Sequence, residues 1–79
     1  MVKFVKYDNL DIRGKLQCID EFINVMMPYE DFEDCSITDI EEDIRIWDSV
    51  KDGYGYRINE DGDWYEIDNN NATMLAYWR

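Results

Sequence analysis

The sequence predicts an α+β fold, in which two helices pack on one face of a three- to four-stranded antiparallel sheet in the order β-α-α-β-β-β. Three observations predict it: an alternating segment opens the chain, two segments with helical apolar spacing follow, and an Asp-Gly pair between alternating segments then indicates a hairpin. With 79 residues, of which 46% are hydrophobic, the chain is expected to form one domain, residues 1–79, with a single small core.

The first strand and the first helix occupy the start of the chain. "VKFVKY" (residues 2–7) alternates lysines with β-branched and aromatic residues, which is typical of a strand. Asp8 or Asn9 can cap a helix that Pro28 ends. Its apolar residues form one stripe: Ile12, Leu16, Ile19, Ile23 and Met26. Cys18, beside this stripe, is predicted to be a packed thiol. The predicted polar side carries Arg13, Gln17, Asp20, Glu21 and Asn24.

The second helix is predicted to begin at Ser36, which forms a capping box with Asp39. Its apolar stripe is Ile37, Ile40, Ile44 and Trp47, and Gly53 is a natural stop. Within residues 37–50, "DIRIW" also alternates like a strand, so the helix competes with a partly extended interpretation. The helix places Ile46 away from the stripe, near Asp39, Glu42 and Asp43.

The clearest local signal is Asp61-Gly62, which is favoured at the centre of a type I′ hairpin turn. This turn sets the pairs Asn59 with Trp64, Ile58 with Tyr65, Arg57 with Glu66, and Tyr56 with Ile67. It predicts an ion pair between Arg57 and Glu66 and places Trp64 on the more polar face. "DNNNA" is then a turn, and "TMLAYW" is the last strand.

Charge is large and uneven along the chain. The net charge is −11, and residues 20–68 carry seventeen acids against Arg45, Lys51 and Arg57. Such a field repels nucleic acid and anionic membranes and attracts basic protein surfaces. No window is apolar enough for a membrane span or a signal peptide. Two cysteines without a C-x-x-C spacing do not make a disulfide framework, so we expect a cytoplasmic protein.

The sequence contains no motif for catalysis or for metal binding. Histidine is absent, there is no glycine-rich phosphate loop, and the adjacent acids Glu41 and Glu42 diverge on a helix. "NEDGD" fails as a calcium loop, since an EF-hand alignment puts Arg57 where a carboxylate is needed. We therefore expect no enzyme activity, no cofactor and no metal.

The acids between Pro28 and Asp48 are the candidate binding site. Like charges three and four apart destabilise a helix, so this excess indicates that the field is used. Carboxylates held along a helix and its preceding loop approximate a line of phosphates, which a basic nucleic-acid-binding groove accepts. The candidate residues are Glu30, Asp31, Glu33, Asp34, Asp39, Glu42 and Asp43. Exposed Ile46, with Trp64 or Tyr29, is the expected uncharged anchor.

In size, charge and acidic-plus-aromatic composition the chain resembles the small acidic inhibitors of phages, of the anti-restriction, anti-CRISPR and uracil-glycosylase-inhibitor kind. The likeness implies an inhibitor in the host cytoplasm. It carries over no functional residues, because the chain matches no motif of any one of these families and those proteins do not share a fold. Two hypotheses follow. The first is a nucleic-acid mimic that blocks a nucleic-acid-binding enzyme or complex without itself binding nucleic acid or membranes. The second is a protein-binding module without mimicry, such as a toxin-neutralising or regulatory subunit, which docks by an apolar patch or a sheet edge.

Overall fold

The computed structural model describes residues 2–78, with side chains up to residue 76. The helices and strands are β1 (Phe4–Val5), α1 (Ile12–Glu21), α2 (Ile37–Trp47), β2 (Val50–Lys51), β3 (Tyr54–Asn59), β4 (Trp64–Asp68) and β5 (Asn71–Met74). A π-helical segment, Phe22–Met26, continues α1, and 3₁₀ turns span Tyr7–Asn9 and Leu75–Trp78. The predicted α+β order is confirmed, and β2 is one further short strand.

The sheet is antiparallel and is built around β3. On one side β3 pairs with β4, which in turn pairs with β5. On the other side β2 pairs with the beginning of β3, and β1 pairs with its end. Both helices contribute to the core that covers this sheet. Its buried members are Tyr7, Leu10, Cys18, Phe22, Ile40, Ile44, Ile58 and Trp64.

Helix α2 has the predicted start and orientation. Ser36 Oγ accepts a hydrogen bond from Asp39 N, and Ser36 N donates to Asp39 Oδ2, which completes the capping box. Ile40 and Ile44 are buried, as the stripe predicts, although its first member, Ile37, is exposed. Residues 37–47 are helical throughout, so the extended interpretation of "DIRIW" is wrong.

Helix α1 has a different orientation from the predicted one. Ile12 and Leu16 are 69% and 61% exposed, so the N-terminal half of the apolar stripe faces solvent. The buried positions are instead Gly14, Cys18 and Glu21. The prediction of Cys18 as a packed thiol is confirmed, and the prediction of Glu21 on the polar side is wrong. The cause is the hairpin turn, whose backbone packs on the side of α1 where the side chains are small.

The start of α1 also lies later than predicted. Asp11 is the N-cap, and its Oδ1 accepts a hydrogen bond from Gly14 N at 2.8 Å. Asp8 and Asn9 belong instead to the 3₁₀ turn that follows β1. The first strand is accordingly shorter than the predicted residues 2–7. At the other end, the π-helical segment stops at Met26, two residues before Pro28, as predicted.

The β3–β4 hairpin differs from the predicted register by one residue. Ile58 lies opposite Trp64 and Tyr56 opposite Glu66. Asn59 causes the shift, because its Oδ1 accepts hydrogen bonds from the backbone N–H groups of residues 61 and 63, and the turn begins one residue earlier. Within this turn only Gly62 has a positive φ, of 88°, whereas a type I′ turn needs two such residues. The loop therefore has three residues, 60–62, rather than the predicted pair. The shift moves Trp64 onto the core face.

The type I′ geometry occurs at two other turns. Asp52-Gly53, with φ of 56° and 82°, joins β2 to β3, so the prediction that Gly53 stops α2 is wrong. Asn69-Asn70, with φ of 49° and 70°, joins β4 to β5 and confirms the predicted turn in "DNNNA". The predicted last strand, residues 73–78, is wrong in its bounds, since β5 is Asn71–Met74 and a 3₁₀ turn spans Leu75–Trp78.

Candidate partner-binding surface

One side of α2 carries three carboxylates around an isoleucine. Asp39, Glu42 and Asp43 are exposed, and Ile46 is 72% exposed. Ile46 follows these acids by seven, four and three residues, and such spacings place side chains on one side of a helix. We call these four residues the acidic face. Its orientation away from the core is the one that the helical interpretation predicts.

The segment before α2, residues 29–36, exposes further acids, and we call it the acidic loop. Phe32 holds this loop to the core, with its ring centroid 6.1 Å from that of Phe22. Cys35 N donates to the carbonyl oxygen of Phe32 at 3.1 Å, which tightens the turn between them. Tyr29 is fully exposed. The exposed acids on either side of Phe32 are Glu30, Asp31, Glu33 and Asp34.

The basic side chains make their ion pairs elsewhere. Arg45 Nη2 lies 2.8 Å from Asp8 Oδ1, so Arg45 pairs with an acid outside α2. The other ion pairs within residues 2–78 are Lys3 with Glu60, Lys6 with Asp48, and Arg57 with Asp48. None of them includes an acid between positions 30 and 43. In the described part of the chain, no ion pair therefore offsets the negative charge of the acidic face or of the acidic loop.

Tyr7 explains why Arg45 turns away from the acidic face. This buried ring lies 5.5 Å from Arg45 Cζ and 5.6 Å from Lys15 Nζ, and its hydroxyl donates to Glu41 Oε2 at 2.6 Å. Burial, together with this hydrogen bond, raises the pKa of Tyr7, so the hydroxyl stays protonated and keeps donating. On the exposed side, the hydrogen bond from Arg45 lowers the pKa of Asp8. These contacts hold Arg45 beside Tyr7 and Asp8, away from the acidic face.

Trp64 does not belong to this surface. It is fully buried, its Nε1 donates to the carbonyl oxygen of Cys18 at 3.0 Å, and its ring lies 5.9 Å from that of Phe22. The prediction of Trp64 as an exposed anchor is wrong because it rested on the incorrect hairpin register. Tyr29 and Ile46 are the exposed uncharged residues that remain among the predicted anchors.

A second exposed surface lies on α1, where the apolar spacing predicts burial. Ile12 and Leu16 lie one turn apart on α1, with exposed Arg13 between them in sequence, and we call Ile12 and Leu16 the apolar pair. A sequence signal for their exposure exists on the other side of the helix. Gly14 and Cys18, four residues apart, are small enough to let another backbone approach closely.

Two acids are buried rather than exposed. Asp48 lies 3.4 Å from Arg57 Nε and 4.0 Å from Lys6 Nζ, so the predicted pairing of Arg57 with Glu66 is wrong. Burial raises the pKa of Asp48, although both cations act in the opposite direction. Glu21, at the end of α1, has no such cation among the ion pairs of residues 2–78 and carries no solvent exposure.

The described residues form neither a metal-binding cluster nor a membrane-spanning helix. Between positions 2 and 78 no group of three or more Cys, Asp or Glu side chains is arranged to hold a metal ion. None of the helices described there has the length and apolar character needed to cross a bilayer. In comparisons with known proteins, no family model, no curated protein and no solved structure matches the chain.

Proposed function

We propose that the protein is a small acidic inhibitor that binds the basic nucleic-acid-binding surface of a protein or complex and blocks it by mimicking nucleic acid. The observation that carries this proposal is the acidic face: three outward carboxylates around an exposed isoleucine, with the nearest arginine held by Asp8. The proposed binding partner is a protein, and the proposal includes no catalytic step.

Charge spacing supports mimicry of a phosphate backbone. With a helical rise of about 1.5 Å per residue, Glu42 lies about 4.5 Å beyond Asp39 along the axis and Asp43 about 1.5 Å further, so three carboxylates fall within about 6 Å. One strand of duplex DNA presents a charge about every 3.4 Å of its axis. A groove lined by lysine and arginine for phosphates therefore meets a similar charge density on α2.

The uncharged centre supports a specific protein contact rather than diffuse attraction. Charged rims accelerate association and give salt dependence, whereas affinity concentrates in desolvated anchors at the centre of an interface. Ile46 lies among the three acids and is the exposed apolar residue of the acidic face. Tyr29, at the start of the acidic loop, is a second exposed anchor of the aromatic type that interfaces favour.

A charge reversal with a matched control tests the proposal. Glu42→Lys/Asp43→Lys should weaken partner binding about a hundredfold or more, because it places cations against a basic groove. Glu66→Lys/Asp68→Lys makes the same net change at exposed positions of β4 and should preserve binding within about threefold. The measurement is affinity capture from lysate of the producing cell, or of its host if the gene is viral, with both variants and the wild type in parallel.

Elution conditions separate mimicry from other binding. A mimic's partner should be released by moderate salt and by duplex DNA or guide RNA, and its nucleic-acid-dependent activity should fall when the protein is added back. A partner that resists both, and that binds both lysine variants equally, would contradict mimicry.

A second candidate function is favoured by the apolar pair. Ile12 and Leu16 expose an apolar surface on α1, which suits a protein-binding module such as a toxin-neutralising or regulatory subunit. If this second function is right, Ile12→Asp/Leu16→Asp should abolish partner binding and Glu42→Lys/Asp43→Lys should leave it intact.

If mimicry is right, Glu42→Lys/Asp43→Lys should weaken binding and Ile12→Asp/Leu16→Asp should leave it intact. Ile46→Asp should then weaken binding as well.

A further inference from the structure

Glu21 is a carboxylic acid enclosed between α1 and the β3–β4 hairpin. Its Oε1 accepts a hydrogen bond from Trp64 N at 3.5 Å, and its Oε2 accepts one from Gln17 Nε2 at 2.7 Å. It has no solvent exposure, and no ion pair within residues 2–78 brings a cation to it. A buried carboxylate with only neutral donors is costly, so the environment favours the protonated acid.

A second carboxyl group faces Glu21 from the hairpin turn, residues 59–63. Gln17 Nε2 also donates to Asp63 Oδ1 at 3.3 Å, so one amide contacts both carboxyl groups. Asn59 Nδ2 holds the other oxygen of Asp63 at 3.2 Å. Burial and then the hydrogen bond with Asp63 raise the pKa of Glu21 to about 7. The shared amide of Gln17 thus brings the Glu21 carboxyl group next to a second carboxyl group, which favours the protonated form of Glu21.

The turn has little freedom to move away while it stays packed on α1. A methyl group at Gly62 would lie 2.1 Å from the carbonyl oxygen of Gly14 and 3.1 Å from Cys18 N, so backbone meets backbone here. Glu21 belongs to α1 and Asp63 to the turn, so repulsion between their ionised carboxylates would push the turn away from α1. The ionisation of Glu21 and Asp63 is therefore coupled to how closely the turn packs on α1.

Other titratable groups near the pair do not replace this proton. Burial raises the pKa of the Cys18 thiol to about 12, so it stays neutral. On the solvent side, a cleft beside Asp63 is lined by Asp11 and Arg13 of the α1 region and by Glu60 and Asp61 of the turn. Its carboxylates outnumber its one guanidinium, and this surplus of negative charge opposes ionisation of the pair.

We propose that Glu21 and Asp63 share one proton that fastens the hairpin turn to α1, and that loss of this proton toward neutral pH loosens the turn. In the closed form the Glu21 carboxyl donates to the Asp63 carboxylate. When the proton leaves to water, two carboxylates face each other with Gln17 as their common donor. We call Glu21, Asp63 and their shared proton the latch; it does not depend on the function proposed for the acidic face.

The sign of the pH effect follows from the direction of the shift. The pKa of Glu21 is raised in the folded protein above its ordinary value of 4.5, to about 7. Its contribution to stability is therefore fully present below about pH 4.5 and is lost as the pH rises through 7. Between pH 5 and pH 8 the unfolding equilibrium constant should increase about tenfold to a hundredfold.

Two measurements on the full chain test the latch. Carbon-detected NMR titration of the side-chain carboxyl groups should show the Glu21 carboxyl with a transition near neutral pH. Denaturant unfolding at pH 5 and pH 8 should show the loss for the wild type and not for Glu21→Gln, which keeps the shape but has no proton to lose. Glu66→Gln makes the same chemical change on the exposed surface and should keep the wild-type pH dependence.

Hydrogen exchange locates the effect. After correction for intrinsic rates, the amides of residues 60–64 should lose protection between pH 5 and pH 8 more than those of the turn at residues 69–71. A Glu21 carboxyl that titrates near 4.5, or an equal pH dependence in the wild type and Glu21→Gln, would overturn the proposal. Should Glu21→Gln not fold, the wild-type NMR titration decides by itself.

Discussion

Helices α1 and α2 carry similar apolar patterns but bury different sides. In α2 the isoleucines at positions 40 and 44 are fully enclosed, and the acids face solvent around Ile46. In α1 the apolar pair, Ile12 and Leu16, faces solvent while an acid, Glu21, is enclosed. Each helix is amphipathic, and in α2 the apolar stripe selects the buried side at Ile40 and Ile44. In α1 and its π-helical continuation only the later residues of the stripe, such as Ile19 and Ile23, pack against the core.

The difference lies in what each helix meets. Helix α2 packs its side chains into the core, where the gain from burying isoleucine decides the orientation. Helix α1 meets the backbone of the hairpin turn at Gly62, and the carbonyl oxygen of Cys18 accepts the indole N–H of Trp64. Such a close approach needs small residues, which Gly14 and Cys18 provide. An apolar stripe therefore predicts orientation where side chains pack, and small residues predict it where backbones touch.

Gly62→Ala breaks the contact that orients α1, and it should have the largest effect. The added methyl group would meet the Gly14 carbonyl oxygen at 2.1 Å, and the φ of 88° adds strain. We expect a loss of about 4 kcal/mol or more in the free energy of unfolding, measured by denaturant titration. Gly53→Ala is the matched control, since φ is 82° but the nearest atom lies at 3.6 Å. It should lose only about 1–2 kcal/mol. Equal losses would show that strain, and not the α1 contact, decides the effect.

Ile44→Ala and Leu16→Ala compare the two apolar stripes directly. Ile44 is fully buried, so its truncation should cost about 2–5 kcal/mol through lost burial and the cavity left behind. Leu16 is 61% exposed, so its truncation should change stability by less than about 0.5 kcal/mol. Both values come from denaturant unfolding at one pH. A large loss for Leu16→Ala would contradict the orientation of α1.

Both helices begin with a side-chain N-cap, and substitutions there should have the smallest effects on the free energy of unfolding. Ser36→Ala removes one half of the capping box of α2, and Asp11→Ala removes the cap of α1. Each should cost about 1 kcal/mol, measured by thermal unfolding. Thr38→Ala, an exposed change in the first turn of α2, should stay within about 0.5 kcal/mol. A loss at Ser36 no greater than at Thr38 would show that the capping box contributes nothing.

Much of the candidate site follows from residue spacing. Ser36 and Asp39 predict where α2 begins, and from that start the helical period alone places Asp39, Glu42, Asp43 and Ile46 together on the exposed side. The partner of Arg45 did not follow, because Asp8 is 37 residues away in sequence and is brought near by packing around Tyr7. The burial of Trp64 did not follow either, because one hydrogen-bonding side chain, Asn59, changes the turn and thereby the face of every residue in β4.

By itself, the sequence determined the properties that depend on neighbouring residues: the order of the elements, the capping box of α2, the Asn69-Asn70 turn and the outward acidic face. These rest on local hydrogen bonds and on the helical period. Tertiary structure alone decided which side of α1 is buried, that Arg45 pairs with Asp8, and that Gln17 joins Glu21 to Asp63. The physical reason is that these contacts join residues 37 or more positions apart, so no local period encodes them.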